Sequence, residues 1–327
     1  MKIKIIILLI TTFLIIFFAP YIGKKEVSSG VYKLYYSFSE PYQSNVIRDI
    51  RIPQTLMAFF VGAALSICGL MYQTLFHNDL ASPFTLGVSS GAAFGATLAI
   101  KFSFLSFFYI PAAPAYAFIF GCLTVVLLIA LPLLKKSFDT FTLLLTGVAL
   151  NFFYAALTLL VSYLSNYSET FHIHRWLMGS IDEFGYSNIL LLAGLSIFII
   201  GFIYYYREDL NITMLSDETA QTRGVNIARL KILIMLVTSI LLAFCVSLCG
   251  PIGFVGIICP HIAKLIFGHN HRITIPASVL FGGAFLCLCF TLARIIIFPF
   301  IVPVGIITSF LGGPFLIFLL MRNRSNI

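Results

Sequence analysis

Hydrophobic positions along the chain gather into ten long runs separated by short polar stretches. The runs cover residues 5–20, 52–76, 84–100, 108–134, 141–164, 187–206, 229–249, 252–267, 274–298 and 303–321. A helix needs about 20 apolar residues to cross a bilayer, and most of these runs have the length. A membrane barrel would show segments of about ten residues with alternating character instead. The pattern therefore predicts an all-α integral membrane protein, a bundle of about ten transmembrane helices. One run is unusual. Gly250, Pro251, Gly253, Gly256 and Pro260 interrupt an otherwise apolar stretch that continues to Gly268. Non-helical backbone at membrane depth survives only when it is buried in protein or lines a cavity. The stretch predicts a break and re-entry between two spans, inside a tightly packed bundle.

Composition agrees. The 327 residues are 60% hydrophobic and 10% charged, against about 25% charged in soluble domains, and the mean hydropathy is +1.03. Residues 1–327 then form a single transmembrane domain in contact with membrane lipid, with no length left for a soluble catalytic domain. The net charge of +8 is scattered over loops and does not indicate a nucleic-acid partner. Lys2 and Lys4 precede the first run as in a signal peptide, but Ala19-Pro20-Tyr21 makes a poor cleavage site, so a retained helix is expected. With Lys2 and Lys4 inside, twelve Lys and Arg fall in inside loops and eight in outside ones. That bias has the positive-inside sign and predicts two cytoplasmic termini. All seven cysteines lie in apolar runs without metal-site spacing, as small buried hydrophobes do.

Two connections are longer than a turn. Residues 21–51 form an outer loop, polar and aromatic, of open structure. Residues 207–228 lie inside. There Ser216 is a plausible N-cap, Asp217 and Glu218 occupy a first turn, Arg223 a last turn and Gly224 a C-terminal cap, all matched to a helix dipole and its unpaired ends. This predicts a short capped helix on the cytoplasmic face, either a connector or a docking surface. Small residues at four-residue spacing, Gly87, Gly91 and Gly95, and Gly62 with Ser66, predict close helix contacts.

Candidate chemistry is sparse. No acidic residue falls within the runs, which argues against a proton-driven carrier. No Walker-type loop is present, so energy must come from another subunit. The pairs His172/His174 and His269/His271 read as loop residues rather than metal ligands, and His261 as a partner for carbonyls freed by the break. A membrane-embedded enzyme using His172, His174 or His261 is the rival class. Otherwise no catalytic residue, metal or cofactor is expected. Two arginines stand out. Arg51 is a cation at a helix N-terminus, against the dipole, and Arg294 lies near the outer end of the ninth run. Either they snorkel to water or they offer positive charge to an acidic partner.

Several patches, in order, resemble one family: Arg51–Leu56 with Val61–Leu65, Asn78–Pro83, Leu86–Ala92, Leu145–Asn151, Trp176–Ser180, Gly250–Gly256 with Pro260 and His261, Pro303–Ile306, and Gly312–Phe315. Each alone is weak; the ordered set, from Arg51 to Leu320, is specific. The chain resembles the FecCD-type permeases, the membrane subunits of ABC importers for ferric siderophores, haem and vitamin B12. The resemblance implies a type II ABC importer permease in the bacterial inner membrane, not an enzyme. It would pair with a second copy or a related permease chain, with ATPase subunits below and a substrate-binding protein above. It implies a ferric siderophore as substrate, with vitamin B12 or haem as alternatives. It places Arg51 and Arg294 where glutamates of the binding protein dock. A coupling segment at about residues 208–228, with Ser216, Ala220, Arg223 and Gly224, meets the ATPase. Asn78, Leu80 and Thr140 fall at the cytoplasmic gate. The chain departs from the pattern at Gln54, where a second arginine is common, and at Phe290, where an aspartate usually stands four residues before Arg294. It departs again at Asp79, for a proline, and at Lys264, for an arginine. Without that aspartate, Arg294 is expected to be freer to reach outward.

Overall fold

The protein is described here from a computed structural model, which covers residues 2–28, 31–36, 46–82, 84–102, 112–134, 139–182, 185–214, 222–224, 226–297 and 300–323. Helix α1 (Lys2–Phe18) runs into a tight turn at Ala19–Tyr21, where Pro20 removes a backbone donor and stops it. An antiparallel hairpin follows, β1 (Ile22–Ser28) and β2 (Val31–Tyr36), with Ile22 opposite Tyr36. It lies in the connection 21–51, whose structure the sequence left open. A wide turn at Ile47–Arg51 leads into α2 (Ile52–Leu75), which has Pro53 near its start, a position that suits proline's fixed φ. Next come α3 (Val88–Phe102), α4 (Ala112–Leu134), α5 (Thr140–Tyr163), α6 (Tyr167–Leu177) and α7 (Ser187–Tyr205). The chain continues through α8 (Arg207–Thr213), α9 (Ile227–Cys249), α10 (Val255–Phe267), α11 (His271–Ile296) and α12 (Val304–Asn323).

Seven of these helices have the length and hydropathy to cross a membrane, and α3, α10 and α12 are shorter apolar helices. Together they correspond one to one with the ten predicted runs. The polar residues between runs supply the ends. Asp139 accepts from Thr142 N at 3.1 Å and starts α5. Asn226 does the same for α9 and Asn270 for α11. Asn166 and Glu169 form a reciprocal capping box on α6, each satisfying a backbone donor the first turn leaves free. α6 and α8 are short helices outside the ten runs, and neither was expected.

α2 is the centre of the bundle. Most of its side chains are buried, and α11, α10, α9 and α7 surround it. Two glycines let the neighbours come close: a Cβ on Gly62 would strike the carbonyl of Gly282 in α11, and one on Gly69 the carbonyl of Gly256 in α10. A second group forms around α3, which lies on α4 through Gly91 and Gly95 and meets α5 near Gly87 and Gly147. Outward-facing positions carry Phe152, Phe153 and Leu159 on α5 and Leu190, Ile197 and Phe198 on α7, all strongly exposed. An apolar belt of this extent fits lipid rather than water as the surroundings.

Candidate functional site

Three places hold the residues singled out in the sequence: the broken stretch and the two ends of the bundle. At the break, α9 ends at Gly250, whose φ of 70° lies in the region glycine adopts without a Cβ penalty. A Cβ there would sit 2.5 Å from the carbonyl of Trp176. Ser180 N donates to Cys249 O at 2.8 Å, and Gly305 N donates to Gly179 O at 3.2 Å. The end of α6, the break and the start of α12 therefore clamp one another through backbone bonds. These bonds satisfy the polar groups that glycine and proline release, as irregular backbone within a membrane requires. Phe254 starts α10 with φ 67°, a left-handed conformation unusual for a non-glycine residue, and its ring lies against Gly312 of α12.

At one end of the bundle, Arg51 and Arg294 come together on a single turn of chain. Arg51 Nη1 donates to Pro20 O at 3.3 Å and Arg294 Nη2 donates to Ala19 O at 2.5 Å. These carbonyls follow the last turn of α1, where a helix presents unpaired acceptors and partial negative charge. Arg51 also lies beside Gly23 of β1, where a Cβ would come within 2.6 Å of its guanidinium. Arg294 is 7% exposed, and its Cζ sits 5.6 Å from the centre of the Phe290 ring. Its Nε and Nη1 have no hydrogen-bond partner. Phe290, standing where an aspartate is usual, thus packs against the guanidinium through its ring. The expected outward reach of Arg294 is not what the structure shows: its side chain is buried, bonded to the Ala19 carbonyl and packed against the Phe290 ring. α6 is fastened nearby by Lys101 and Glu169 at 2.8 Å, and the hydrogen bond from Lys101 holds the Glu169 carboxyl below its usual range.

At the other end, α2 passes into a turn. Asn78 Oδ1 accepts from Leu80 N at 2.9 Å, and Asn78 O accepts from Ala81 N at 3.0 Å. The Leu80 side chain is about half exposed, and Thr140 is the first residue of α5. Between Asn78 and Leu80, Asp79 reaches α10: its Oδ1 lies 2.7 Å from Lys264 Nζ and its Oδ2 3.6 Å from His261 Nδ1. The neighbouring His261 imidazole, then the hydrogen bond from Lys264, holds the Asp79 carboxyl well below the usual carboxylate range. α8 docks at the same end. His77 Nε2 lies 2.9 Å from Thr213 O, and buried His271 bridges Asn211 Oδ1 and Thr74 Oγ1, each at 2.9 Å.

A model of the FecCD transport family matches residues 7–322. The chain belongs to the FecCD transport family. FecCD proteins are membrane permease subunits of ABC transporters, so this chain is a transport subunit and not an enzyme. It is 33% identical to the Fe(3+)-citrate import system permease protein YfmD of Bacillus subtilis, over 86% of this chain and 82% of that one. It is 34% identical to the hemin transport system permease protein HmuU of Yersinia pestis, over 84% of this chain and 83% of that one. A solved structure described as an inward-facing conformation of a metal-chelate type ABC transporter superposes with a TM-score of 0.85 at 30% identity, covering 97% of this chain and 99% of the other.

Within this FecCD permease, the predicted site residues divide by end. Arg51 and Arg294 share one end; Asn78, Leu80, Arg223 and Gly224 belong to connections at the other, where Thr140 starts α5. Ser216 and Ala220 lie outside the described residues. Gly224 has φ 82°, as a glycine C-cap does. Sequence reading did not pair Asp79 with Lys264, although both had been noted as departures from the family pattern. Two departures of opposite charge were the available signal. His271, read from the sequence as a loop residue, is instead buried as the first residue of α11, and Asn211 and His77, whose partners lie far away in the chain, were passed over.

Proposed function

We propose that this protein is the inner-membrane permease of a binding-protein-dependent importer for a ferric siderophore. The likeness to a ferric citrate permease over 86% of this chain carries this reading, and the metal-chelate type neighbour supports it. Both termini and the end carrying Asn78 and Leu80 face the cytoplasm, where ATPase subunits dock on the segment around residues 208–228, including Ser216, Ala220, Arg223 and Gly224. The end carrying Arg51 and Arg294 faces outward and receives glutamates of a substrate-binding protein. Among the described residues no carboxylate pairs with either arginine; partly exposed Arg51 offers its charge directly, while buried Arg294 adds to the positive potential behind it. The whole chain acts as one permease domain that pairs with a second copy or a related chain. Asn78, Leu80 and Thr140 line the cytoplasmic gate.

Haem is the second substrate reading, favoured by the likeness to a hemin permease, and vitamin B12 is the third. Uptake by cells lacking the gene, with and without its restoration, separates them. Gene-dependent uptake of a labelled ferric siderophore is expected. Gene-dependent uptake of haem or cobalamin alone would overturn the substrate assignment. For the coupling segment, a bulky charged residue at Ala220 is expected to leave ATP hydrolysis intact and abolish transport. Coupled transport in that variant would make the segment a plain connector.

A further inference from the structure

We propose that Asp79 and Lys264 form a latch that fastens the gate loop to α10, so that Leu80 moves only when the latch yields or α10 moves with it. The inference rests on reading Asn78 and Leu80 as gate residues. Both carboxylate oxygens of Asp79 face α10, one on Lys264 at 2.7 Å and one toward His261 at 3.6 Å. Lys264 is 6% exposed. A buried ammonium is tolerated when an opposite charge and a hydrogen bond compensate its lost hydration, and Asp79 supplies both. The two bonded atoms come from positions 185 residues apart, so the pair ties the loop after α2 to α10, beyond the contacts the two helices already make at Gly69 with Gly256 and from Gln73 Nε2 to Ile257 O. The pair therefore positions the loop; neither residue need touch the substrate.

The surroundings give the latch a place in the transport cycle. The stretch from Thr74 to Asp79 is held from both sides. On one side α8 bonds it, through Thr213 O to His77 and through Asn211 and His271 to Thr74. On the other side Asp79 bonds α10. α8 opens the cytoplasmic segment proposed to meet the ATPase, while α10 descends from the clamped break. His261 also lies with its ring 6.4 Å from that of Phe315 in α12, so α12 borders the same point. A push on the cytoplasmic segment then reaches the gate loop at His77 and is resisted, or passed to α10, at Asp79. Coupling of this kind needs a contiguous set of contacts with two arrangements, and the latch is the member that one charge change can open.

The test uses the full-length permease in lipid nanodiscs with a spin label on Leu80→Cys, the unsubstituted chain serving as blank for the native cysteines. Asp79→Asn and Lys264→Met should each raise the ratio of mobile to immobile label roughly tenfold, the size of coupling within an ion-pair network. The exchanged pair, Asp79→Lys with Lys264→Asp, should bring the ratio back toward the parent. Because Lys264→Met leaves the loop's own sequence intact, its effect must travel through the pair. Unchanged spectra in the single variants, or an exchanged pair as mobile as they are, would overturn the latch. A parallel assay reads ATP hydrolysed per ferric citrate taken up by the reconstituted complex, and the single variants should raise that ratio. Absence of transport by the unsubstituted complex, with the label results as expected, would strike the proposed function and leave the latch standing.

Discussion

At the residue scale, two arginines that look equivalent in sequence have different tasks in the structure. Arg294 is buried against Phe290 and the carbonyl of Ala19, whereas Arg51 is only partly covered and borders the hairpin at Gly23. Arg294→Glu would place a carboxylate against a carbonyl in a buried site. Leaving a buried charge without compensation costs on the order of 3–5 kcal/mol. The expected result is a large fall in Tm and in yield of folded protein from detergent, with Arg294→Gln milder. Arg51→Glu should keep Tm near the parent and weaken binding-protein docking roughly tenfold. Part of that weakening should be recovered at high salt, because a rim charge acts largely through long-range attraction or repulsion. Docking of the Arg51 variant at parent affinity would remove Arg51 from that surface. Asp79 belongs to this scale too. Its carboxyl is depressed by His261 and Lys264, so its contribution is fully present above the unfolded value and is lost only as pH falls through the lower folded one. The spin-label ratio at position 80 should therefore show no loosening between about pH 8 and pH 5. A loosening on acidification in that range would mean that a group other than Asp79 sets the latch.

At the element scale, the helices were legible and their contacts only partly so. Ten hydrophobic runs correspond to ten apolar helices because hydropathy over about 20 residues is a local property that no tertiary contact can reverse. Asp139 as a cap for α5 and Asn166 with Glu169 on α6 are equally local signals, and both are readable once the run boundaries are known. Gly250, Pro251 and Gly253 announced irregular backbone, whereas Gly256 and Pro260, expected to belong to the break, lie inside α10. What the breakers could not announce is the clamp with Trp176–Ser180 and Gly305, because those partners are distant in sequence. The small-residue stripes were visible, but not which neighbour each one meets. Gly69, outside those stripes, proves to be as close a contact as any, against the carbonyl of Gly256. Gly69→Val should push α2 and α10 apart and destabilise the permease by about 2 kcal/mol or more, as overpacking in a close-packed site does. Thermal unfolding followed by tryptophan fluorescence of Trp176 would measure it. A Tm equal to the parent's would show that the two helices have slack.

At the scale of the whole molecule, the chain belongs to the FecCD transport family, whose members are membrane permease subunits of ABC transporters. An ATPase is expected to copurify with the tagged permease from its native membrane. A chain that arrives alone yet transports would point to a secondary carrier. By itself the sequence determined the membrane setting, the number and order of the apolar helices, the break before α10 and the ordered family motifs. All of these are written in local composition and spacing. The tertiary structure alone decided which charges meet. It buried Arg294 against the end of α1, brought Arg51 beside it, and joined Asp79 to Lys264. Those pairings depend on how helices cross and face one another, and residues far apart along a chain carry no local signal of who their neighbours will be.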